Sequence, residues 1–299
     1  MLSCLITPAD VAAGRACCRF ASFHADKPRR ARRYPTDTTD AQWATLDRLL
    51  PDPAWLAGAG GRPETWCRRV IVDAIFYLVD NGIKWRAMPA DFPPWQTVYR
   101  FFAAWELGGS TQQVVDELRD RVRRAEGRKP EPTAAIIDSA SVRAAETVAK
   151  TTRGYDAGKR VNGRKRHILV DTLGLLLLVC VTSANFHDSR GAAPLLGRAR
   201  SHLRRLTLIW ADSAYGGKLR DWAKKSLNLT LQIVKRSDHT SGFVVLPRRW
   251  VVERTLAWIA RHRRCVRDYE RLLAHHEAMV HWSMIRLMSK RLATKQPPN

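Results

Sequence analysis

Acidic residues are scarce in this chain: 28 Asp and Glu stand against 51 Lys and Arg in 299 residues, a formal charge of +23. A protein so short of negative charge repels cationic partners and attracts polyanions, and Arg far outnumbers Lys, which favours phosphate recognition. A membrane surface would attract the same charge, but the basic residues are spread over the whole length and do not line one amphipathic face. Long apolar runs are missing too. The longest, Leu173 to Val181 with one Gly, falls far short of the roughly 20 residues that cross a bilayer and reads as a core strand. The six cysteines form no CxxC pair and no Cys/His ligand spacing, so a reduced, cytosolic setting is the simple reading. No Walker-type glycine loop and no nucleophile elbow occurs, which leaves ATP-driven and acyl-enzyme chemistry without support. Residues 1–33 lack a basic start followed by a continuous hydrophobic segment, so they do not read as a secretory signal. Their Ala/Arg-rich composition suits a disordered arm or a translation start placed too early.

What is present begins near Tyr34. Thr39-Asp40 caps an expected helix from Ala41 to Leu50, which Pro51 and Pro53 stop. Further helices are expected over about Glu64 to Asn81, Gln96 to Leu107 and Thr111 to Glu126. Residues 34–126 therefore read as a small all-helical domain, either helix-turn-helix-like with Arg outward for a DNA groove, or a bundle that serves packing or dimerisation. Trp85, Trp95 and Trp105 within it suit base stacking or, more simply, core packing. The charged, Pro-containing stretch 127–133 is the best domain boundary. Strands follow at Ala134 to Val142, Lys165 to Asp171 and Leu175 to Thr182, with Gly174 as the hairpin turn between the last two. Asp188-Ser189 caps a helix to about His202, then come the strand ending at Asp212, a helix over Lys218 to Ser226, and a fifth strand over Thr230 to Val234. Three strands, helix, strand, helix, strand, helix is the order of a ribonuclease H-like α/β domain, a mixed five-stranded sheet with flanking helices, here over 134–290 with a tail at 291–299.

The chain writes one phrase twice, an apolar run that stops at Asp-Ser-Ala: Ile136-Ile137-Asp138-Ser139-Ala140 and Ile209-Trp210-Ala211-Asp212-Ser213-Ala214. In the expected sheet these strands are neighbours, so Asp138 and Asp212 converge. Glu253 follows on a helix, at the edge of a stripe formed by Val252, Leu256 and Ile259, beside Arg249 and Ala260 and away from an outward-facing Arg254 and Arg261. Clustered carboxylates resist joint ionisation unless cations neutralise them. Oxygen-only ligands point to Mg²⁺ or Mn²⁺ and away from zinc; two such ions would suit an in-line phosphoryl displacement. An Asp at a strand end is often only a turn residue, and Glu253 alone would be a solvated glutamate. His187 looks catalytic beside Asp188, but Asp188 is explained by capping. The basic run Lys159, Arg164, Lys165, Arg166 and His167 is expected to track phosphates before the apolar strand, and so are Arg249, Arg261 and Arg264 around Glu253; for any one of them a solvated face is the plainer reading.

These segments together resemble the DDE transposases of bacterial insertion sequences, the insertion-sequence-five branch of the four/five superfamily. The resemblance is carried by Asn81 to Pro89 with Thr97-Val98-Tyr99, Ile137-Asp138-Ser139, Gly154 to Lys159, Lys165-Arg166-His167, Ala184 to Asp188, Ala211 to Tyr215, Arg249 to Arg254 and Asp268-Tyr269-Glu270, in order over about residues 34 to 290. It implies that Asp138, Asp212 and Glu253 are the metal-binding and catalytic triad, that the amino-terminal helices help recognise terminal inverted repeats, and that a homodimer or higher multimer works on paired DNA ends. Related transposases surround the glutamate with a tyrosine, an arginine and a lysine. Here Arg249 matches the arginine, while Leu246 and Ala260 replace the other two, which sets hairpin-intermediate chemistry apart from cleavage and strand transfer. The expected function is thus metal-dependent cleavage at element ends and strand transfer into target DNA, in a bacterial cytoplasm at the nucleoid. A structure-selective nuclease or resolvase and a domesticated DNA-binding regulator are the alternatives; an intact triad disfavours the regulator, and inverted repeats bracketing the gene, with a short direct duplication outside them, would support transposition, whereas a lone gene in a stable operon would support the others.

Overall fold

The computed structural model describes residues 30–53, 64–234 and 250–295. Four helices come first: α1 (Asp40–Asp47), α2 (Arg68–Asn81), α3 (Trp95–Leu107) and α4 (Ser110–Ala125). Thr39 starts α1 through a reciprocal capping box with Gln42, and Gly82, at φ 69°, ends α2 in the left-handed conformation that favours glycine. Then follow β1 (Ala134–Arg143), β2 (Gly154–Asp156), β3 (Val161–Asp171), β4 (Leu176–Ser183), α5 (Asp188–His202), β5 (Leu208–Ala211), α6 (Lys218–Leu227) and β6 (Thr230–Ile233). The described chain ends with α7 (Trp250–Ala260), the short α8 (Arg263–Val266) and the long α9 (Leu273–Lys295).

The six strands form one mixed sheet. β3 pairs antiparallel with β1 along one edge, and with β4 and the short β2 along the other. β1 continues in parallel to β5, and β5 to β6. Apart from β2, the order β4-β3-β1-β5-β6 is that of a ribonuclease H-like sheet. Because successive strand residues point to opposite faces, β1 sends Ile136 to one side and Ala135 and Ile137 to the other. The first side packs with Ile168, Val170 and the helices α1–α4, α7 and α9; the second packs with Leu169 under α5 and α6. The sheet is covered on both faces, and β3 is buried from Gly163 to Asp171. Truncating Ile136 to Ala in such a setting costs about 2–5 kcal/mol.

Residues 34–126, expected as a separate domain, share one hydrophobic core with the sheet. α9 packs against all four of the first helices, α1 to α4, and also against β4, so the last described helix is the partner of the first ones. α2 is inside on nearly every side, including Arg68 and Arg69 at 3% and 4% exposure, and has no face to offer a DNA groove. α3 alone of this pair keeps an outward face, with Gln96 and Arg100. Trp85 lies edge-on to Tyr99 and Phe102, and Trp105 packs on Phe101 and Trp282, so both serve the core. Among the described residues no helix is long and apolar enough to cross a membrane.

The C-terminal segment is tied to the sheet by buried charge. Asp268 accepts from Arg164 at 3.0 Å and from the Glu270 N–H at 2.9 Å, and His276 Nδ1 lies 2.9 Å from its Oδ1. Arg166 Nε donates to His276 Nε2 at 2.7 Å. Arginine has only donors, so this Nε2 is an acceptor and the His276 ring is neutral, with its proton on Nδ1 facing Asp268.

Candidate active site

Asp138 and Asp212 occupy equivalent places on adjacent parallel strands. Ile136 pairs with Trp210, and each aspartate lies two residues further on, Asp138 within β1 and Asp212 just past β5. Neighbouring strands run about 4.8 Å apart, so the two half-buried aspartates follow the end of the β1–β5 pairing at the same level. Each turns one oxygen to the backbone: Asp138 Oδ1 accepts from the Ser139 N–H at 2.7 Å, and Asp212 Oδ1 from the Ala214 N–H at 2.9 Å. The second contact caps the single helical turn Ser213–Tyr215, which carries the Tyr215 hydroxyl inward. Burial raises the Tyr215 pKa well above the ordinary tyrosine value, and the negative charges of Asp138, Asp188 and Asp212 raise it further. One buried hydroxyl thus senses three carboxylates, and it stays protonated at neutral pH.

Glu253 lies in the first turn of α7, exposed to solvent. The inward side of that helix is Val251, Val252, Thr255 and Ile259, and it packs against β1 and β3. Thr255 Oγ1 donates to the Gly174 carbonyl at 2.8 Å, which fixes the helix on the β3–β4 turn. Arg254, expected to face solvent, is half-buried instead: its guanidinium lies 4.3 Å over Trp250 and 4.6 Å over Trp258 and donates to the Leu173 carbonyl at 2.9 Å. Among the described residues no three His, Cys, Asp or Glu side chains are grouped closely enough to hold a metal ion.

A second polar network lies on the α5 side of β1. Lys165, 5% exposed, points its ammonium at Asp188 Oδ1, 2.8 Å away, and at Asp156 Oδ2, 3.5 Å away, and donates to the Phe186 carbonyl at 2.9 Å. Ser139 Oγ donates to Asp188 Oδ1 at 2.8 Å, and Ser141 Oγ to Asp156 Oδ2 at 2.5 Å. Burial pushes the Asp188 pKa up, but the hydrogen bonds from Lys165 and Ser139, with the charges of Lys165 and Lys159, outweigh it and hold the group below the usual carboxylate range. The expectation that Asp188 caps α5 is overturned. His187 is the N-cap, its side chain accepting from the Ser189 N–H at 3.3 Å, and Asp188 turns to Lys165 instead.

The basic run on β3 is corrected as well. Arg164 and Arg166 are 0% and 3% exposed and point toward the C-terminal segment, where Arg164 meets Asp268 and the Glu270 and Arg271 carbonyls, and Arg166 meets His276 and the Cys265 carbonyl. Lys165 and His167 point to the opposite face. His167 is fully buried against Gly191 of α5, its Nε2 3.0 Å from Thr182 Oγ1, and burial lowers its pKa to about 4. Arg264 is also inside, held by Glu270 at 2.7 Å and the Ile83 carbonyl at 2.8 Å. None of these five side chains faces solvent in a way that would let it track a DNA backbone. The physical reason is alternation: four cationic or titratable residues in succession on a central strand are divided between two covered faces. Lys159 and Arg261 are exposed, as the DNA-contact expectation requires, and Arg249 lies outside the described residues.

Comparison with known proteins agrees with this architecture. Residues 129–288 match the family model described as "Transposase DDE domain", and residues 38–115 match that of a "Putative transposase of IS4/5 family". A "Putative transposase for insertion sequence element IS402" from Burkholderia cepacia is 33% identical over 126 residues, which cover 40% of this chain and 59% of that protein. The chain thus matches about three fifths of the length of this curated relative. No solved structure matches. The first family match alone spans more than half of the chain and includes Asp138, Asp212 and Glu253: the protein belongs to the DDE transposases, of the IS4/5 type.

Proposed function

We propose that the protein cleaves phosphodiester bonds at the ends of its insertion sequence and joins the freed 3′ ends to target DNA, with Asp138, Asp212 and Glu253 as the acidic residues of the site. The observation that carries this reading is the level placement of Asp138 and Asp212 on adjacent strands, both sensed by Tyr215. As donors they fit a hard divalent cation, since both offer only oxygen. Glu253 enters from the family resemblance, supported by the packing of α7 on β1. Mg²⁺ or Mn²⁺, as a pair of ions, would supply charge for the attacking and leaving oxygens when bound. The protein's own part is to hold the two aspartates in register, to keep a neutral tyrosine hydroxyl beneath them, and to neutralise the neighbouring Asp188 with Lys165. Terminal inverted repeats, target DNA and a multimer on paired ends are the partners in this proposal. Lys159 and Arg261 contact the DNA backbone.

The test is cleavage of labelled element-end DNA in Mg²⁺ or Mn²⁺ by purified protein. Asp138→Asn, Asp212→Asn and Glu253→Gln are each expected to abolish cleavage and leave end binding largely intact, because each removes a carboxylate without removing a cation. Retained cleavage in either aspartate variant overturns the assignment of the site. Retained cleavage in the glutamate variant confines the acidic set to the two aspartates.

A further inference from the structure

A cleft of about 410 Å³ opens where the end of α7 crosses the second half of α9, away from the aspartate pair. Its walls carry Arg261 from the end of α7 and Arg286, Lys290 and Arg291 from α9, with Asp80 as the carboxylate among the lining residues. Asp80 is already engaged: His262 Nδ1 lies 2.9 Å from its Oδ1 and Arg286 Nη1 3.5 Å from the same oxygen, and the hydrogen bond with His262 leads in holding its pKa below the ordinary value. Four cationic side chains against one committed carboxylate leave a standing positive field in a concave site, where field lines concentrate.

The crowding is visible in the groups themselves. Arg291 lies 4.4 Å over the Trp258 ring, and Arg254 lies 4.6 Å over the same ring. Burial lowers the Arg291 pKa, and the charge of Arg254 lowers it further. Like charges held together around one indole gain from an added anion. Trp258 is the aromatic ring lining the cleft, and with two guanidinium groups over it the ring is not offered to a base. What the cleft can accept is phosphate without base readout. Arg261 and Lys290 are exposed at its walls, and long cationic side chains of this kind follow a backbone rather than fix one small ligand.

We propose that this α7–α9 cleft seats the phosphodiester backbone of duplex DNA. The inference rests on the reading of the protein as a transposase acting on DNA, and it names where that DNA is held outside the carboxylates. α7 connects the two places. Arg261 follows Glu253 by eight residues, about 12 Å along the helix axis at 1.5 Å per residue. A duplex held by Arg261 and Lys290 therefore runs beside the outward face of α7 toward Glu253. His262, on the turn that follows, and Arg264 in α8 anchor this corner to Asp80 and to the Ile83 carbonyl, so the cleft wall is fixed to α2 and to the loop after it.

The experiment is a salt titration of full-length protein binding to a random-sequence duplex. Three proteins are compared: the parent, the double variant Arg261→Gln with Lys290→Gln, and a control of equal charge loss, Lys224→Gln with Lys225→Gln, on the exposed side of α6. With Arg261 and Lys290 each neutralising one phosphate, the slope of log K against log salt should fall by up to about 1.8 in the double variant, at roughly 0.9 per phosphate, and the control should stay near the parent slope. Where the cleft double melts early, the single variants are read instead, each expected to drop by up to about 0.9. An unchanged slope in the cleft variants, or an equal loss in cleft and control, overturns the proposal. A parent that binds no duplex at all overturns the DNA reading itself, which is a separate result. An acidic protein segment as the true occupant would give the unchanged slope.

Discussion

Removing the carboxylate of Asp268 tests whether the buried charge network holds the C-terminal helices on the sheet. Asp268 is 1% exposed and its ion-pair partner Arg164 is 0% exposed. In Asp268→Ala, Arg164 keeps its bonds to the Glu270 and Arg271 carbonyls, at 2.8 and 2.9 Å, but loses its counter-charge. The Glu270 N–H loses its acceptor and His276 Nδ1 its neighbouring carboxylate at the same time. Breaking a buried pair on one side costs about 3–5 kcal/mol, mostly from the charge left uncompensated. Urea unfolding followed by tryptophan fluorescence should show that loss as a lower midpoint at unchanged slope. A second variant separates pairing from mere packing. Arg164→Met combined with Asp268→Ala removes both charges, and it should be less destabilised than the sum of the two singles by about 1–3 kcal/mol. A single-variant loss below about 1 kcal/mol, or strict additivity in the double, refutes the reasoning.

Gly163→Ala should be poorly tolerated, because a Cβ there would meet the Val142 carbonyl oxygen at 1.9 Å, a backbone atom of the adjacent strand that has no rotamer to escape into; a melting temperature equal to the parent's would show that β1 and β3 can part at that register. Acid stability has two opposed contributions. His167, with its pKa lowered to about 4, takes up its proton more readily when unfolded and so loses stability as pH falls below the ordinary histidine value, while burial raises the Asp73 pKa to about 6, so that folding gains stability as pH falls through 6. Each amounts to about 3 kcal/mol at most. Asp73→Asn, which can still accept from the Thr38 N–H, should therefore lose stability more steeply than the parent between neutral pH and about pH 4; parallel pH curves would show that one of the two groups is not perturbed as described.

The strands around the aspartates are legible because an apolar run ending in Asp-Ser-Ala is a strong local signal, and the structure turns both runs into adjacent strands. β2 is not legible: Gly154-Tyr155-Asp156 is three residues with no alternation, and it exists because β3 begins early enough to offer Val161, Asn162 and Gly163 as partners. The helical segment is legible as helices but not as part of the same core. α2 carries apolar residues around most of its circumference, Val70, Ile71, Ala74, Phe76 and Val79 among them, and Arg69 and Asp73 on its remaining side are buried as well. Its partner α9 lies nearly 200 residues further along, beyond the reach of any local pattern. Exposure of Glu253 and the packing of Arg254 also escape the sequence, since Trp250 and Trp258 sit where a helical wheel alone would place a wet face.

Arg164 and Arg264 mislead in the sequence for one reason, an internal counter-ion for each, while Arg166 is held instead by neutral His276 and the Cys265 carbonyl. In a chain with 28 carboxylates to 51 cations, several buried or half-buried acids work as internal counter-ions: Asp268 for Arg164, Glu270 for Arg264, Asp171 for Arg123, Asp188 for Lys165. Three of the four are aligned with motifs by which the family is recognisable, Asp188 after His187 and Asp268 with Glu270 around Tyr269, and their cationic partners fall inside the densest basic stretches. Density of charge along the sequence therefore marks ion pairs that build the fold as readily as it marks a binding surface. Each such pair is neutral as a unit, so it subtracts equally from both totals and leaves the formal excess of +23 untouched. That excess belongs to side chains outside the paired interior. Contacts to DNA phosphates are accordingly to be sought among exposed cations such as Lys159, Arg261 and Lys290, not in the basic run that is most conspicuous in the sequence.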